Sequence, residues 1–367
     1  MSEFVRIIDP SGKTLRNDLY NSPPDAHSYI IFKKGNKTYA KNGMHGHIEY
    51  ADTDAATVFQ DVIDAIPDQG GKIYIKAGTY KLSTGLTIDR YNITLEGECQ
   101  AISGNGKATT LEIAEPINVI TITGKYCGIR NLVINGKSKA INGVTLDNTA
   151  MCTLENMLVI SCTNYGIESK VGNDHYFKNV FCEYNWYENW YIHGSHYNIT
   201  LVYCTAWGSH KHGFRIDGPG ARGIQLIGCR AGENAYSGFY IYNTSAHEPR
   251  VTINGGYSWK NKQHGIYLLG AKHTIIKGVQ IIDNSQEAND TYDGIRLSGF
   301  NTTYSEHNII ADCIIMSQET KKQRYGVAET DANQDYNLVH GCIVYGNATG
   351  QISLQGANSV QADNITA

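Results

Sequence analysis

Gly213-Phe-Arg-Ile, Gly238-Phe-Tyr-Ile and Gly265-Ile-Tyr-Leu are three copies of one short element. The same element recurs at Gly143-Val-Thr-Leu, Gly166-Ile-Glu-Ser, Asn189-Trp-Tyr-Ile, Gly294-Ile-Arg-Leu, Gly326-Val-Ala-Glu and Gly350-Gln-Ile-Ser. Successive copies are 23, 23, 24, 25, 27, 29, 32 and 24 residues apart. A period in this range marks a solenoid, in which each unit buries its apolar face only against its neighbours. Inside each unit apolar and polar residues alternate, which is the period of a strand and not of a helix.

A second column supports the same register. Ile134, Val159, Cys182, Cys204, Cys229, Gly256, Val279, Cys313 and Cys342 each close another short strand. Five residues after many of them stands a polar amide or its substitute: Asn164, Ser209, Asn234, Asn261, Asn284, Gln318 and Asn347. Asparagine tolerates left-handed backbone, and its amide can bond the equivalent amide one turn away, so it suits a repeated tight bend. The prediction is an all-β chain folded as a right-handed parallel β-helix. Five of its cysteines, Cys182, Cys204, Cys229, Cys313 and Cys342, are expected reduced and stacked along one buried column.

The chain has 367 residues and nine cysteines, with a formal net charge of −4. Nothing in that balance provides a basic footprint for nucleic acid. No apolar run is long enough for a transmembrane helix, and the start at Met1 shows no signal-peptide pattern. No Cys-x-x-Cys spacing occurs, so no zinc site is expected, and His193-x-x-His196 is not read as one.

Residues 1–50 fall outside the repeat and are read as an N-terminal β appendage and a candidate oligomer contact. Within them, Tyr29-Ile-Ile-Phe-Lys, a Gly35-Asn36 turn and Lys37-Thr-Tyr-Ala predict a hairpin. The β-helix domain then occupies 51–367. Residues 52–66 predict a helix capped by Asp52 or Thr53, with Val58, Phe59, Val62, Ile63 and Ile66 on one apolar face. Such a helix would plug the open end of a solenoid. Longer inserts enter late, at 284–294, 299–307, 318–326 and 331–336.

The opening Asp52-x-Asp-x-Ala-x-x-x-Gln60, Gly70-Gly71-Lys-Ile-Tyr-Ile-x-x-Gly78-Thr-Tyr80 and Ile93-Thr-Leu-x-Gly97 resembles that of the pectate-lyase-like β-helix superfamily. With the repeats that follow, the resemblance spans roughly residues 50–360. It implies the fold, and it implies polysaccharide-directed chemistry of several kinds: lyases, glycosidases, epimerases, phage tailspikes and non-enzymes share the fold. Within it, Tyr165-Gly166-Ile167-Glu168-Ser169-Lys170 is similar to the Tyr-Gly-φ-Asp-Pro-His motif of the mannuronan C5-epimerases, with His212-Gly213-Phe214 two repeats later. Glu168, Ser169 and Lys170 replace that motif's Asp, Pro and His.

Alternation places Val144, Ile167, Trp190, Phe214, Phe239, Ile266, Ile295 and Val327 in the core. Two outward columns remain. One reads Thr145, Glu168, Tyr191, Arg215, Tyr240, Tyr267, Arg296; the other reads Asp147, Lys170, His193, Asp217, Tyr242, Leu269, Ser298. Neighbours in a column lie about 4.8 Å apart. The candidate catalytic groups are Glu168, Lys170, Tyr191, His193, Arg215 and Asp217. Asp147, Tyr165, His212, Tyr240, Tyr242, Tyr267 and Arg296 are candidates for holding substrate. A salt-bridge ladder on a solvated strand face is the bland reading of the same residues.

For β-elimination from a uronate polymer, Arg215 or Lys170 would neutralise the substrate carboxylate, and Lys170, His193 or Tyr191 would move protons. For glycoside hydrolysis, Asp147 with Glu168, or Glu168 with Asp217, would form the carboxylate pair. A non-catalytic carbohydrate-binding, adhesin or viral-tail β-helix is the third reading. The expected partner is a polysaccharide, met outside the cell or at its surface. A Ca²⁺ ion bridging substrate to Asp147 or Asp217 is compatible with the resemblance, although no calcium loop is readable. Elimination of an acidic polysaccharide is the reading favoured here.

Overall fold

The structure, a computed structural model, describes residues 27–99, 108–218, 221–243 and 250–366. The first half of the expected N-terminal appendage therefore lies outside the described residues.

Each coil of the chain contributes one strand to an eleven-stranded sheet, which runs from Leu86–Ile88 to Gly350–Ser353. Every neighbouring pair in that sheet is parallel, from Leu86 opposite Ile120 to Val327 opposite Ile352. The remaining coil strands form a second, bent sheet around the other sides, as with Thr149–Ala150 and Thr153–Ile160 in one coil. This is the right-handed parallel β-helix that the repeat predicts. The expected core column is in place: Val144, Ile167, Trp190, Phe214, Phe239, Ile266, Ile295 and Val327 are all buried.

The repeat-opening glycines have a steric cause. A Cβ on Gly213 would lie 2.7 Å from the side-chain nitrogen of Asn234 and 2.6 Å from the carbonyl of Gly238. Gly166, Gly238 and Gly265 meet the amides of Asn185, Asn261 and Asn284 in the same way. Those amides form a ladder: Asn234 Nδ2 donates to Asn261 at 2.8 Å, Asn261 to Asn284 at 2.8 Å, Asn284 to Gln323 at 3.0 Å and Gln323 to Asn347 at 2.8 Å. Two expected members are replaced. Cys162 stands in the place expected for Asn164, and its N–H donates to Asn185 of the next coil at 2.9 Å. Gln323 takes the place expected for Gln318, because the insert moves the amide five residues on; the Gln318 N–H is held instead by Asp283.

All five predicted core cysteines are free and buried, but they do not share one column. Cys182 pairs with Ala206, whereas the bonding of Arg230 N to Cys204 O and of Tyr257 N to Cys229 O carries the Cys204 column two residues earlier. A two-residue offset returns a side chain to the same face, so the core stays apolar.

The helix runs Ala55–Ala65 and is capped by Asp54, whose side chain accepts from Ala56 N. Neither Asp52 nor Thr53, the two residues expected, is the cap; Asp52 instead accepts the Asp54 N–H at 2.8 Å and shapes the entry. The buried face is Val58, Phe59, Val62 and Ile63, with Phe59 edge-on to Tyr80 at 5.3 Å. The predicted hairpin forms as Tyr29–Lys34 with Lys37–Asn42, and its first strand pairs in parallel with Gly71–Ile75. It thus extends the solenoid sheet by one strand.

Phe59→Asp places an unpaired carboxylate in this apolar contact and is expected to cost more than about 4 kcal/mol. Thermal melting checks this; an unchanged melting temperature would show that the helix closes nothing.

Candidate functional site

The outward columns lie in the predicted register. Glu168 stands opposite Tyr191, Tyr191 opposite Arg215, Arg215 opposite Tyr240 and Tyr267 opposite Arg296. His193 stands opposite Asp217 and Asp217 opposite Tyr242. Ser169 points into the core, which leaves Glu168 and Lys170 on the same outer face.

Side-chain bonds tie this face into three groups. In the first, His193 Nε2 lies 3.1 Å from Glu168 Oε1, while the other Glu168 oxygen accepts from Asn142 Nδ2 at 2.8 Å and Thr145 Oγ1 at 3.4 Å. Glu168 is 7% exposed. A carboxylate fixed by two donors orients the imidazole with Nε2–H toward it, which leaves the Nδ1 lone pair free to accept a proton. The His193 ring stacks on Tyr191 with centroids 4.1 Å apart and planes 14° apart.

In the second group, Arg215 donates to Asp217 Oδ2 through Nε at 2.8 Å and Nη2 at 2.7 Å, and reaches Glu188 Oε1 through Nη1 at 3.3 Å. Its guanidinium also sits over the rings of Tyr191 and Tyr240, at 4.8 and 5.8 Å. Tyr191 donates its hydroxyl to the same Asp217 oxygen at 3.2 Å. Burial, then the Asp217 charge, pushes the Tyr191 phenol well above its ordinary range, so it stays a proton donor. Tyr165, 4.8 Å from Tyr191 ring to ring, is pushed up to about 12 by burial and the Glu188 and Glu168 carboxylates.

The third group is the half-exposed pair of Lys170 and Asp147, 3.2 Å apart at the rim. Farther along the face, His212 stacks on Tyr240 at 4.2 Å, and Tyr240 lies 5.7 Å from Tyr242 and 5.3 Å from Tyr267. His212 accepts the Ser237 N–H on Nδ1, and burial pushes its pKa down to about 3, so it is a neutral stacking ring. Arg296 bonds Asp293 at 2.8 Å and lies three coils beyond Arg215. All of the predicted site residues thus share one face. Glu168 and Arg215 are held in partly buried networks, so removing either side chain is expected to cost stability.

Two buried carboxylates, Glu188 and Asp293, belong to this face and are not in the predicted columns. Both occupy the position just before the repeat-opening residue, in line with Asn142, Tyr165, His212, Ser237 and His264. The polar character of that position is the signal that could have found them. Glu188 is 1% exposed; one carboxylate oxygen faces Arg215 and the other has no hydrogen-bond partner. Burial pushes its pKa up, against the opposing pull of Arg215.

The calcium ion compatible with the family resemblance finds no fit. Asp147 is held by Lys170, and Asp217 by Arg215 and Tyr191. Among the described residues no group of three or more His, Cys, Asp or Glu side chains could hold a metal. His196 points inward to backbone carbonyls, away from the His193 ring. No described helix is long and apolar enough to cross a membrane.

A family model described as the right-handed β-helix region matches residues 117–281. No curated protein matches the chain in sequence. Among solved structures, the A-module of the Azotobacter vinelandii mannuronan C-5 epimerase AlgE4 is similar at 17% identity. The match covers 86% of this chain and 91% of the module, with a TM-score of 0.70. The N-terminal fragment of bacteriophage Phi29 gene product 12 is 14% identical over 86% of this chain and 64% of the fragment, TM-score 0.62. The enzymatically active domain of tailspike protein 2 of bacteriophage CBA120 is 11% identical over 84% of this chain and 51% of that domain, TM-score 0.57. At such identities the likeness is one of fold. The chain is a right-handed parallel β-helix protein, and its resemblance to the pectate-lyase-like superfamily holds at that level.

Glu188 carries a pH signature. A carboxyl with a raised folded-state pKa stabilises the fold while protonated and loses that contribution as pH rises from the ordinary glutamate range through the raised value. Glu188→Gln keeps the shape, leaves Arg215 its Asp217 partner and removes the titration. The melting temperature of the variant relative to wild type should therefore climb as pH rises from the ordinary glutamate range, about 4.3, toward neutrality. A difference independent of pH would contradict the buried, half-partnered carboxyl.

Proposed function

We propose that this face abstracts the C5 proton of a uronate residue in an acidic polysaccharide and cleaves the chain by β-elimination. In this reading His193 Nδ1, oriented by Glu168, takes the C5 proton. The electrons form the C4–C5 double bond, and the leaving O4 takes a proton from the Tyr191 hydroxyl. Arg215 stabilises the charge that grows on the uronate carboxylate and on the Tyr191 oxygen. Lys170, at the rim, meets the incoming anion. Polymers of this kind are met outside cells, which is where the protein would act.

The observation that carries the reading is the His193–Tyr191 stack. A base and an acid on stacked rings, centroids 4.1 Å apart on one sheet face, reach one side of a sugar ring, which suits removal of the C5 proton and protonation of O4 from the same side. Inversion at C5 needs the proton returned from the opposite side. Hydrolysis needs a carboxylic acid beside the glycosidic oxygen. Asp147, Glu168 and Asp217 are each engaged with a cation or an imidazole, and Glu188, with its raised pKa, lies buried under Arg215.

A panel of uronate and neutral polysaccharides tests this, with unsaturated-uronate absorbance, reducing ends and C5 configuration all recorded. New absorbance with uronate substrates supports the reading. Reducing ends without absorbance mean hydrolysis, altered configuration without cleavage means epimerisation, and none of the three means a binding protein. His193→Ala and Tyr191→Phe should each lower turnover by roughly 100-fold or more with melting temperatures nearly unchanged, since neither empties the core.

A further inference from the structure

The composition around Arg215 is repeated farther along the same sheet. At the first station a floor arginine, Arg215, meets the buried Glu188. The bend beside it carries Lys211, held 4.9 Å over the Tyr236 ring, and the neutral His212 stacked on Tyr240. At the second station a floor arginine, Arg296, meets the buried Asp293. The bend carries Arg324 in the place of Lys211, and His264 lies 5.0 Å from Tyr267. The two floor arginines stand three strand spacings apart, about 14 Å. Tyr240 and Tyr267 fill the column between them, and Tyr242 and Phe300 flank it, 5.6 Å apart and edge to face.

The second station has more guanidinium N–H donors than its own structure uses. Asp293 is fully buried. Its Oδ1 accepts Arg324 Nε at 3.0 Å and the Tyr325 N–H at 3.2 Å; its Oδ2 accepts Arg324 Nη2 at 2.9 Å and Arg296 Nη1 at 2.8 Å. Arg324 alone would satisfy this carboxylate in the two-pronged manner of an arginine–carboxylate pair. Arg296 is therefore surplus as a donor to Asp293, and its remaining N–H groups are left to meet a further anion. Between them the guanidiniums carry ten N–H donors. Asp293 takes three, and both arginines remain partly exposed, at 23% and 32%. His264 adds no charge, because burial pushes its pKa far down. Asp290, which accepts the Thr349 hydroxyl at 2.6 Å and keeps its charge, is a second acid acting on Arg324, but no guanidinium N–H of either arginine bonds it.

We propose that Arg296 and Arg324 form a second anion subsite, which binds a carboxylate of the same polyuronate chain while another occupies Arg215. The sugars between would lie over Tyr240, Tyr242 and Tyr267. This rests on the uronate reading above and adds to it. The polymer runs along the solenoid axis toward the later coils, and the protein recognises a spaced pair of charges, not one.

The test uses the full chain carrying Tyr191→Phe to prevent turnover, and size-graded uronate oligosaccharides from dimer upward. Binding is measured by calorimetry. Affinity should step up, by about tenfold or more, at the first length that reaches from one station to the other. Arg324→Gln and Arg296→Gln, made separately, each leave Asp293 one guanidinium. Either should abolish the step and leave the affinity of the shortest binding oligomer unchanged. If the variants lose affinity equally at every length, or lose none, the second subsite is refuted while the uronate reading stands. If no uronate oligomer binds at any length, both fall. Should either variant fail to fold, salt titration of the Tyr191→Phe protein decides the question. The step should shrink with added salt more steeply than short-oligomer binding does; equal salt dependence at all lengths would overturn the subsite.

Discussion

One buried amide, bonded to the next amide a coil away, sets the conditions for most of this molecule. Asn234, Asn261, Asn284, Gln323 and Asn347 each donate to or accept from the neighbour in the adjacent coil. A buried amide left unpaired would cost roughly 1–3 kcal/mol, so each coil is committed to the position of the next. The ladder also needs room beside it, and the glycine that opens most repeats supplies that room. The visible period of the sequence is therefore the imprint of a hydrogen-bond chain, and the flat parallel sheet carrying the site is its consequence.

Because the register is fixed coil by coil, chemistry on the sheet is arranged by columns. Adjacent coils bring Glu168 to His193 and Arg215 to Glu188, pairs 25 and 27 residues apart in the chain. The networks are anchored from below by buried carboxylates and amides, while the groups free to meet a ligand, such as the His193 ring and the edges of the arginines, stay partly open. Rigidity under the site and access above it come from the same alternation of side chains across a strand.

The fold and the outward columns were legible because strand alternation and the glycine mark are local signals. Trp190, Phe214 and Phe239 face inward where the pattern places them. Glu188 and Asp293 were not legible in that way. They sit in the bend, where alternation gives no direction, and only the register shows that they turn under the arginines. The same limit explains Gln323 in the place expected for Gln318 and the offset of Cys182 from Cys204, since loop length shifts the count between strands. Nor could the sequence show that Arg215 is held between Asp217 and Glu188, since that depends on where long side chains point. At the helix start the reading placed the cap at Asp52 or Thr53, and the structure moves it to Asp54, which accepts the Ala56 N–H.

The late inserts lengthen bends at 284–294 and 318–326, yet the strands on either side keep their one-to-one pairing, Ile266 with Ile295 and Ile295 with Val327. Chain length and strand spacing are thus independent in this scaffold. Distances along the site change only in whole steps of about 4.8 Å, by gain or loss of a coil. A solenoid of this kind behaves as a graduated rule: side-chain substitution alters what is marked at each division, and no substitution moves the divisions.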